Sequence, residues 1–195
     1  MFHFTTPKHH WNYYLAIQND LEKISRYIEF CSDNLETYSI ELAHILLSAS
    51  SEVDVIMKQL CGIVVPGGAF ENINHYKAAI TAHIPVLINE EVSIPRYGMT
   101  HRPWENWNGA TNPDWWKSYN NVKHQRNDHY PEANLQNTVN AVGALLVTTV
   151  YYYKFAFETE AGHAVDFTET TRQLDSASHS FMKLSPAYYN AYLIA

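Results

Sequence analysis

Hydrophobic residues make up 46% of the 195-residue chain and charged residues only 17%, which excludes a disordered protein because there is enough apolar surface to offset the entropy of ordering. The formal net charge of −7 argues against a protein coated with bases for wrapping duplex DNA. The length predicts a single domain over residues 1–195, with a bundle over about 7–158 and a tail over about 159–195.

Two long helices are predicted in the first third of the chain. From about Pro7 to Phe30, apolar residues recur at three- and four-residue steps, which places them on one helical stripe. A second helix is predicted to open at Asp33, because Asp33 and Glu36 resemble a capping box, and to stop near Gly62. The two predicted lengths are similar, so we expect these helices to pair antiparallel.

The middle of the chain is predicted to be less regular. A helix over residues 71–83 is followed by a short strand within residues 85–95 and by a long loop over residues 96–113. A loop of that length inside a compact domain is either functional or a misread element. Asn112 before Pro113 then predicts the start of a short helix, with Asn as its cap and Pro at its first position.

The last long helix is expected to open at Pro131, and small residues such as Gly143 would let another helix approach it closely. Beyond about Thr159 the chain is polar, and the final apolar segment from Pro186 is expected to pack back on the bundle. These elements predict a mainly α fold. It is an up-and-down bundle of four to five helices with an irregular Trp-rich insertion and a short C-terminal segment.

The sequence also predicts a cytoplasmic protein that does not span a membrane. The N-terminus has no basic segment followed by an apolar run, and the most apolar stretch, residues 141–153, is shorter than the ~20 residues of a membrane span. The two cysteines, Cys31 and Cys61, lack a C-x-x-C spacing and are expected to be buried free thiols.

The net charge hides a basic segment. Residues 96–126 carry a local charge of +3, so the rest of the chain carries −10, and four of the five tryptophans lie in the same segment. Aromatic rings interleaved with cations suit single-stranded nucleic acid, in which each stacked base contributes ~1–3 kcal/mol. Trp104 and Trp107 are therefore candidate base-stacking residues. The alternative is a satellite core that pins the loop, which is the favoured interpretation for Trp115 and Trp116.

The densest polar cluster lies between two predicted helices, from Tyr119 to Tyr130. Metal-free RNA cleavage needs a base for the 2′-hydroxyl, an acid for the leaving oxygen and a cation for the charged phosphorane. Histidine acid–base catalysis is worth ~10²–10⁴-fold, and Arg or Lys stabilises the developing charge. The alternative is a polar corner whose cations satisfy the last carbonyls of the preceding helix. The candidate catalytic residues are Arg126, His129 and His124, and the candidate substrate-binding residues are Lys123, Asn127, Tyr119, Asn120, Trp104 and Trp107.

The segment Trp-Trp-x-x-Tyr-Asn-x-x-Lys-His-x-Arg, from Trp115 to Arg126, stands before the last apolar helix. With two long helices and an irregular insertion, it resembles bacterial HEPN-like helical-bundle proteins over about residues 10–155. The resemblance implies a metal-independent RNase of the toxin or phage-defence type, in which an Arg is followed by a polar residue and then by a His, four to six residues after the Arg. Arg126-Asn127 matches the start of that motif, while His129 follows with only two residues between. Other HEPN-like members only bind ligands or partners.

A second polar cluster lies in the second predicted helix and consists of Glu52, Asp54 and Lys58. Glu52 is next to the apolar stripe, and a buried carboxylate needs a partner. In the functional interpretation, this acid orients or activates Lys123 or the other cations of the polar cluster. In the structural interpretation, which we favour, it forms an ion pair between helices.

Two segments, Glu41-x-x-His44 and Glu160-x-x-His163, have the spacing of di-iron bundle ligands. The second lies in a polar segment that contains Gly, so we expect neither a metal nor another cofactor. The leading hypothesis is a HEPN-like homodimer that binds or cleaves RNA. The alternative is a non-catalytic interaction or regulatory module that binds a cognate protein or a nucleotide partner.

Overall fold

A computed structural model of the protein describes residues 4–5, 7–174 and 180–189. In this part of the chain the fold is mainly α, as predicted, with one hairpin of two short antiparallel strands in which Val92 lies opposite His101. The helices are α1 (His9–Ile24), α2 (Ile40–Val64), α3 (Ile73–His83), α4 (Asp114–His124), α5 (Arg126–His129), α6 (Leu135–Ala161) and α7 (Phe167–Gln173), and the strands are β1 (Val92–Ile94) and β2 (Met99–His101).

Two long helices, α2 and α6, pack side by side and form the centre of the bundle. They run in the same direction, because the backbone N–H of Leu135 donates to Thr37 O at 2.9 Å and the Thr138 hydroxyl donates to Leu42 O at 3.3 Å, which places their starts together. Every residue from 141 to 151 of α6 is buried. A helix that is buried all round is surrounded by other elements, and α6 is therefore the core of the fold.

The other helices of the bundle lie against this central pair, and α1 and α4 each contact both of its members. The start of α1 is next to the middle of α2, where His10 bonds Glu52, and the end of α1 lines a depression together with the start of α2, so the two helices are antiparallel as predicted. Similarly, Asn137 at the start of α6 donates to Ser118 Oγ of α4 at 3.1 Å. In chain order, the direction therefore alternates along α1, α2, α4 and α6, which leaves α1 parallel to α4 and α2 parallel to α6. No helix among the described residues combines the length and apolar composition needed to cross a membrane.

The helix boundaries differ from the predicted ones because other residues provide the caps. Helix α2 begins at Ile40, since Ser39 Oγ accepts the Leu42 N–H at 3.1 Å, whereas Asp33 lies in the 3₁₀ turn Ser32–Asn34. The helix also continues past Gly62 to Val64.

Two further boundaries also differ from the predicted ones. Helix α6 begins at Leu135 and not at Pro131, because Asn134 Oδ1 accepts the N–H of Asn137 at 3.0 Å. Helix α1 is shorter than predicted and ends at Ile24.

The predicted long loop contains regular structure. Strand β2 and the 3₁₀ turn Glu105–Asn108 lie within residues 96–113, and β1 confirms the strand predicted just before them. The hairpin packs on α6, where a Cβ added to Gly143 would come within 2.8 Å of Val92 Cγ2. The close approach expected at Gly143 is therefore real, but the neighbour is a strand and not a helix.

The C-terminal segment packs back on the bundle, as predicted, over its described residues 180–189. Lys183 pairs with Ser93 of β1 through two backbone hydrogen bonds of 2.8 and 2.9 Å. The hydroxyls of Tyr151 on α6 and of Tyr188 both donate to Glu90 Oε1. Burial, and after it the hydrogen bond to Glu90, raises the pKa of each tyrosine well above its ordinary value, so both remain neutral donors. Residues 190–195 of the predicted segment lie outside the described residues.

We predict opposite effects for two glycine-to-alanine substitutions in long helices. Gly62→Ala should raise the free energy of unfolding by about 0.5–1 kcal/mol, because nothing lies within 4 Å of the added Cβ and Ala favours a helix. Gly143→Ala should lower it, because the added Cβ meets Val92. Urea unfolding of both variants measures the difference, and stabilisation by Gly143→Ala would contradict the packing of β1 on α6.

Glu90→Ala should destabilise the protein by about 1–3 kcal/mol, because it removes the acceptor shared by two largely buried hydroxyls. The matched control is Glu91→Ala, since Glu91 is the next residue and its ion pair with Arg102, at 3.4 Å, is about half exposed. We expect the control to change the stability by less than about 1 kcal/mol. Equal effects of the two substitutions in chemical denaturation would show that Glu90 does not hold the C-terminal segment.

Candidate functional site

The polar cluster predicted from the sequence forms a corner between α4 and α6, which we call the α4–α6 corner (residues 123–132). The chain leaves α4 at Gln125, makes the single turn of α5 and continues through the 3₁₀ turn Tyr130–Glu132. Tyr130 keeps helical dihedral angles, and the backbone leaves the helical region at Ala133 and at Asn134, which is extended and caps α6. Residues 123–128 are all exposed and line a depression of about 550 Å³.

A histidine–carboxylate pair lies at the C-terminal end of this corner. Nδ1 of His129 is 2.6 Å from Oε1 of Glu132, and both side chains are about one third exposed, at 32% and 33%. Asn121 on α4 donates to Oε2 of the same carboxylate at 3.0 Å. The bond to Glu132 makes Nδ1 the protonated ring nitrogen and leaves Nε2 for proton exchange with a ligand.

The hydrogen bonds keep Glu132 ionised. Partial burial favours the neutral acid, but donors on Asn121, His129 and Ser118 together outweigh it, so the pKa of Glu132 lies below its ordinary value. Asn137 connects this carboxylate segment to both helices, because its Nδ2 donates to Glu132 O at 2.9 Å and to Ser118 Oγ at 3.1 Å. The orientation of the imidazole is therefore fixed from α4 and α6 at once.

The cations of the corner differ in how they are held. Nζ of Lys123 donates to Tyr119 Oη at 3.1 Å and lies 5.2 Å from the centre of that ring. Among the described residues, Arg126 forms no ion pair with an acidic side chain. Exposed His124 and Asn127 line the same depression as Lys123 and Arg126, and so does the acid Asp128.

Three of the predicted substrate contacts are buried, namely Trp104, Trp107 and Tyr119. Trp104 and Trp107 are only 0% and 2% exposed, and a buried ring cannot stack on a base. They pack on each other, and Trp104 also packs edge-on against Trp115. The prediction of base stacking is thus wrong for both, and the satellite-core alternative describes all three rings.

Tyr119 is 6% exposed and serves as the acceptor for Lys123, so it supports the lysine of α4. Asn120 Nδ2 donates to the backbone oxygen of Trp116 at 2.9 Å, but the residue is partly exposed and stays a candidate for contact with a ligand.

The second polar cluster does not join the corner. Glu52 Oε1 is 2.5 Å from Nδ1 of His10 on α1, so a contact between helices, as in the structural interpretation, describes it. Asp54 accepts the Tyr76 hydroxyl of α3 at 2.9 Å, and Lys58 is exposed on α2. The supporting role predicted for these residues is wrong, because the middle of α2 faces α1 and α3 at this level. Glu132 and Asn121 occupy that role, and the spacing His129-x-x-Glu132 was the signal for the acid.

Glu41 and His44, which have the di-iron spacing, lie at the surface of α2. Nδ1 of His44 and Oε2 of Glu41 are 3.9 Å apart, and both side chains are more than 60% exposed, at 62% and 70%. In the described ranges 4–5, 7–174 and 180–189, no group of three His, Cys, Asp or Glu side chains could hold a metal ion.

Comparison of the chain with family models, with curated proteins and with solved structures gave no match. The geometry of the α4–α6 corner is therefore the basis for assigning a function.

The stability of the protein should depend on pH through Glu132. Because its folded-state pKa is lowered, the hydrogen bonds to the carboxylate stabilise the fold above about pH 4.3, the ordinary value for Glu, and this contribution is lost as the pH falls through the folded-state pKa. Between pH 6 and pH 3, wild type should lose more stability in urea than Glu132→Gln. Glu105→Gln, which changes an exposed acid on a 3₁₀ turn, is the matched control and should follow wild type. Parallel curves for wild type and Glu132→Gln would contradict the role of the carboxylate.

Proposed function

We propose that the protein binds RNA at the α4–α6 corner and cleaves it without a metal ion. The observation that supports the proposal is the His129–Glu132 pair, with its 2.6 Å contact, in the same short segment as Arg126 and the other exposed cations. Cleavage of RNA is also the activity that the resemblance to HEPN-like proteins implies, and with it a homodimer and a role as a toxin or phage-defence effector.

In this proposal, each group has one task. Nε2 of His129 exchanges a proton with the 2′-hydroxyl or with the leaving 5′-oxygen, and Glu132 holds the ring in the required tautomer as a positioning residue. The 2′-oxygen attacks phosphorus, the bond to the 5′-oxygen breaks, and a 2′,3′-cyclic phosphate forms. Arg126 stabilises the negative charge of the phosphorane. Lys123 binds a neighbouring phosphate, and His124 is the second acid–base group.

The second candidate function is a non-catalytic module that uses the same corner to bind a nucleotide or a cognate protein. The open surface favours this alternative, because residues 123–128 are all exposed and the depression is not enclosed by another part of the described chain. Isolation of the protein with a stoichiometric partner, and without nuclease activity, would support it.

Cleavage of a labelled single-stranded RNA by the purified protein, with and without EDTA, tests the catalytic proposal. We expect cleavage that EDTA does not reduce, with a rate that falls by about 10²-fold or more in Arg126→Ala and in His129→Ala. Lys117→Ala removes an exposed cation on α4 outside the corner and should leave the rate unchanged. No cleavage by wild type, or equal rates in wild type and the Arg126 and His129 variants, would refute the proposal.

A further inference from the structure

Three depressions on the surface lie next to one another, and together we call them the surface track. The first is the depression along residues 123–128. The second, of about 390 Å³, is lined by Arg126 and Asn127 together with Ile40 and His44. The third, of about 610 Å³, lies between the end of α1 and the start of α2 and includes His44 again. Because consecutive depressions share lining residues, the track runs from the α4–α6 corner to the end of α1.

The track is unusually rich in exposed rings and apolar side chains. Tyr27 lines the third depression and is 81% exposed, and Ile40 in the second is 63% exposed. Tyr38 is 48% exposed and stacks edge-on against Tyr130, which also lines the second depression, with the ring centres 5.4 Å apart. Large side chains grouped at one end of a bundle with this exposure indicate a binding surface.

The charges along the track favour an anion. Asp20 pairs with Lys23 at 2.8 Å, and Glu41 is 3.9 Å from His44, so both acids of the third depression have basic neighbours. The first depression has one acid, the exposed Asp128, and two cations, Lys123 and Arg126, so cations outnumber acids four to three along the track. Arg26 and Arg126 form no ion pair in the part of the chain that the structure describes. One of these guanidinium groups lies in the third depression, and the other is shared by the first two.

We propose that the surface track binds a single-stranded segment of RNA that continues from the α4–α6 corner. Its phosphates bind Arg26 and Arg126, and its unpaired bases stack on Tyr27 and on the Tyr38–Tyr130 pair. Duplex RNA is excluded from this mode, because its bases are stacked inside the helix and offer no free face to a tyrosine. The choice of RNA as the ligand rests on the proposed function, but binding along the track does not require cleavage at the corner.

Binding of a labelled 2′-fluoro oligonucleotide tests the track independently of catalysis, because this ligand keeps the phosphates and bases but lacks the attacking hydroxyl. Wild type should bind the single strand more tightly than a hairpin duplex of the same composition. Tyr27→Ala and Arg26→Ala should each weaken binding of the single strand about fivefold or more. The matched controls are Tyr13→Ala and Lys117→Ala, which should bind as wild type does. Tyr13→Ala removes an exposed ring of α1 that lies outside the track.

The outcomes separate the track from the proposed function. Weaker binding by the Tyr27 and Arg26 variants supports the track even if wild type cleaves no RNA. Unchanged binding by both variants overturns the track, whereas loss of cleavage in Arg126→Ala would still support the corner. Equal affinity for the duplex and the single strand also overturns the track. If wild type is a dimer without RNA and Ile40→Asp dissociates it, as measured by light scattering, the track is overturned in favour of an interface between two copies.

Discussion

Helices α2 and α6 pack side by side in the same direction, and most of α6 is enclosed by the rest of the chain. Because the two helices are parallel, the chain must return from the end of α2 at Val64 to the start of α6 at Leu135. Residues 65–134 make that return, which explains why a long segment of short elements interrupts an otherwise simple bundle. The same geometry brings the starts of α2 and α6 to one end of the molecule, where the α4–α6 corner also lies.

The return segment is held to the bundle by its own apolar contacts. Trp104, Trp107 and Trp115 form a satellite core, and the indole N–H of Trp115 donates to Pro103 O at 2.8 Å. Strand β1 packs closely on α6 at Gly143. Helix α4, at the end of this segment, is therefore placed firmly against α6, and the polar residues that follow it are presented to solvent on a rigid support, as binding and reactive groups require.

The α4–α6 corner and the surface track combine a fixed polar network with an open surface. Asn121, Asn137 and Ser118 hold the Glu132 segment from two helices, so the orientation of His129 does not depend on a flexible loop. The residues of the basic segment, 96–126, therefore have two different roles. Its tryptophans stabilise the fold, and its exposed cations face solvent. The aromatic surface beside those cations comes from tyrosines that are distant in sequence, on the segments after α1 and before α2.

The sequence by itself determined the mainly α fold, the antiparallel pairing of α1 with α2 and the position of the polar corner, because helical periodicity and local charge are properties of neighbouring residues. It did not determine the helix starts, since Asp33 and Ser39 are both good caps and only tertiary contacts select Ser39. The burial of Trp104 and Trp107 and the partner of Glu52 also depended on the tertiary structure. A ring beside a cation is a stacking surface when exposed and a core residue when buried, and a carboxylate on α2 binds whichever helix packs against it. The burial of the ring and the partner of the carboxylate both depend on how segments distant in sequence pack together, and a local sequence pattern does not determine that packing.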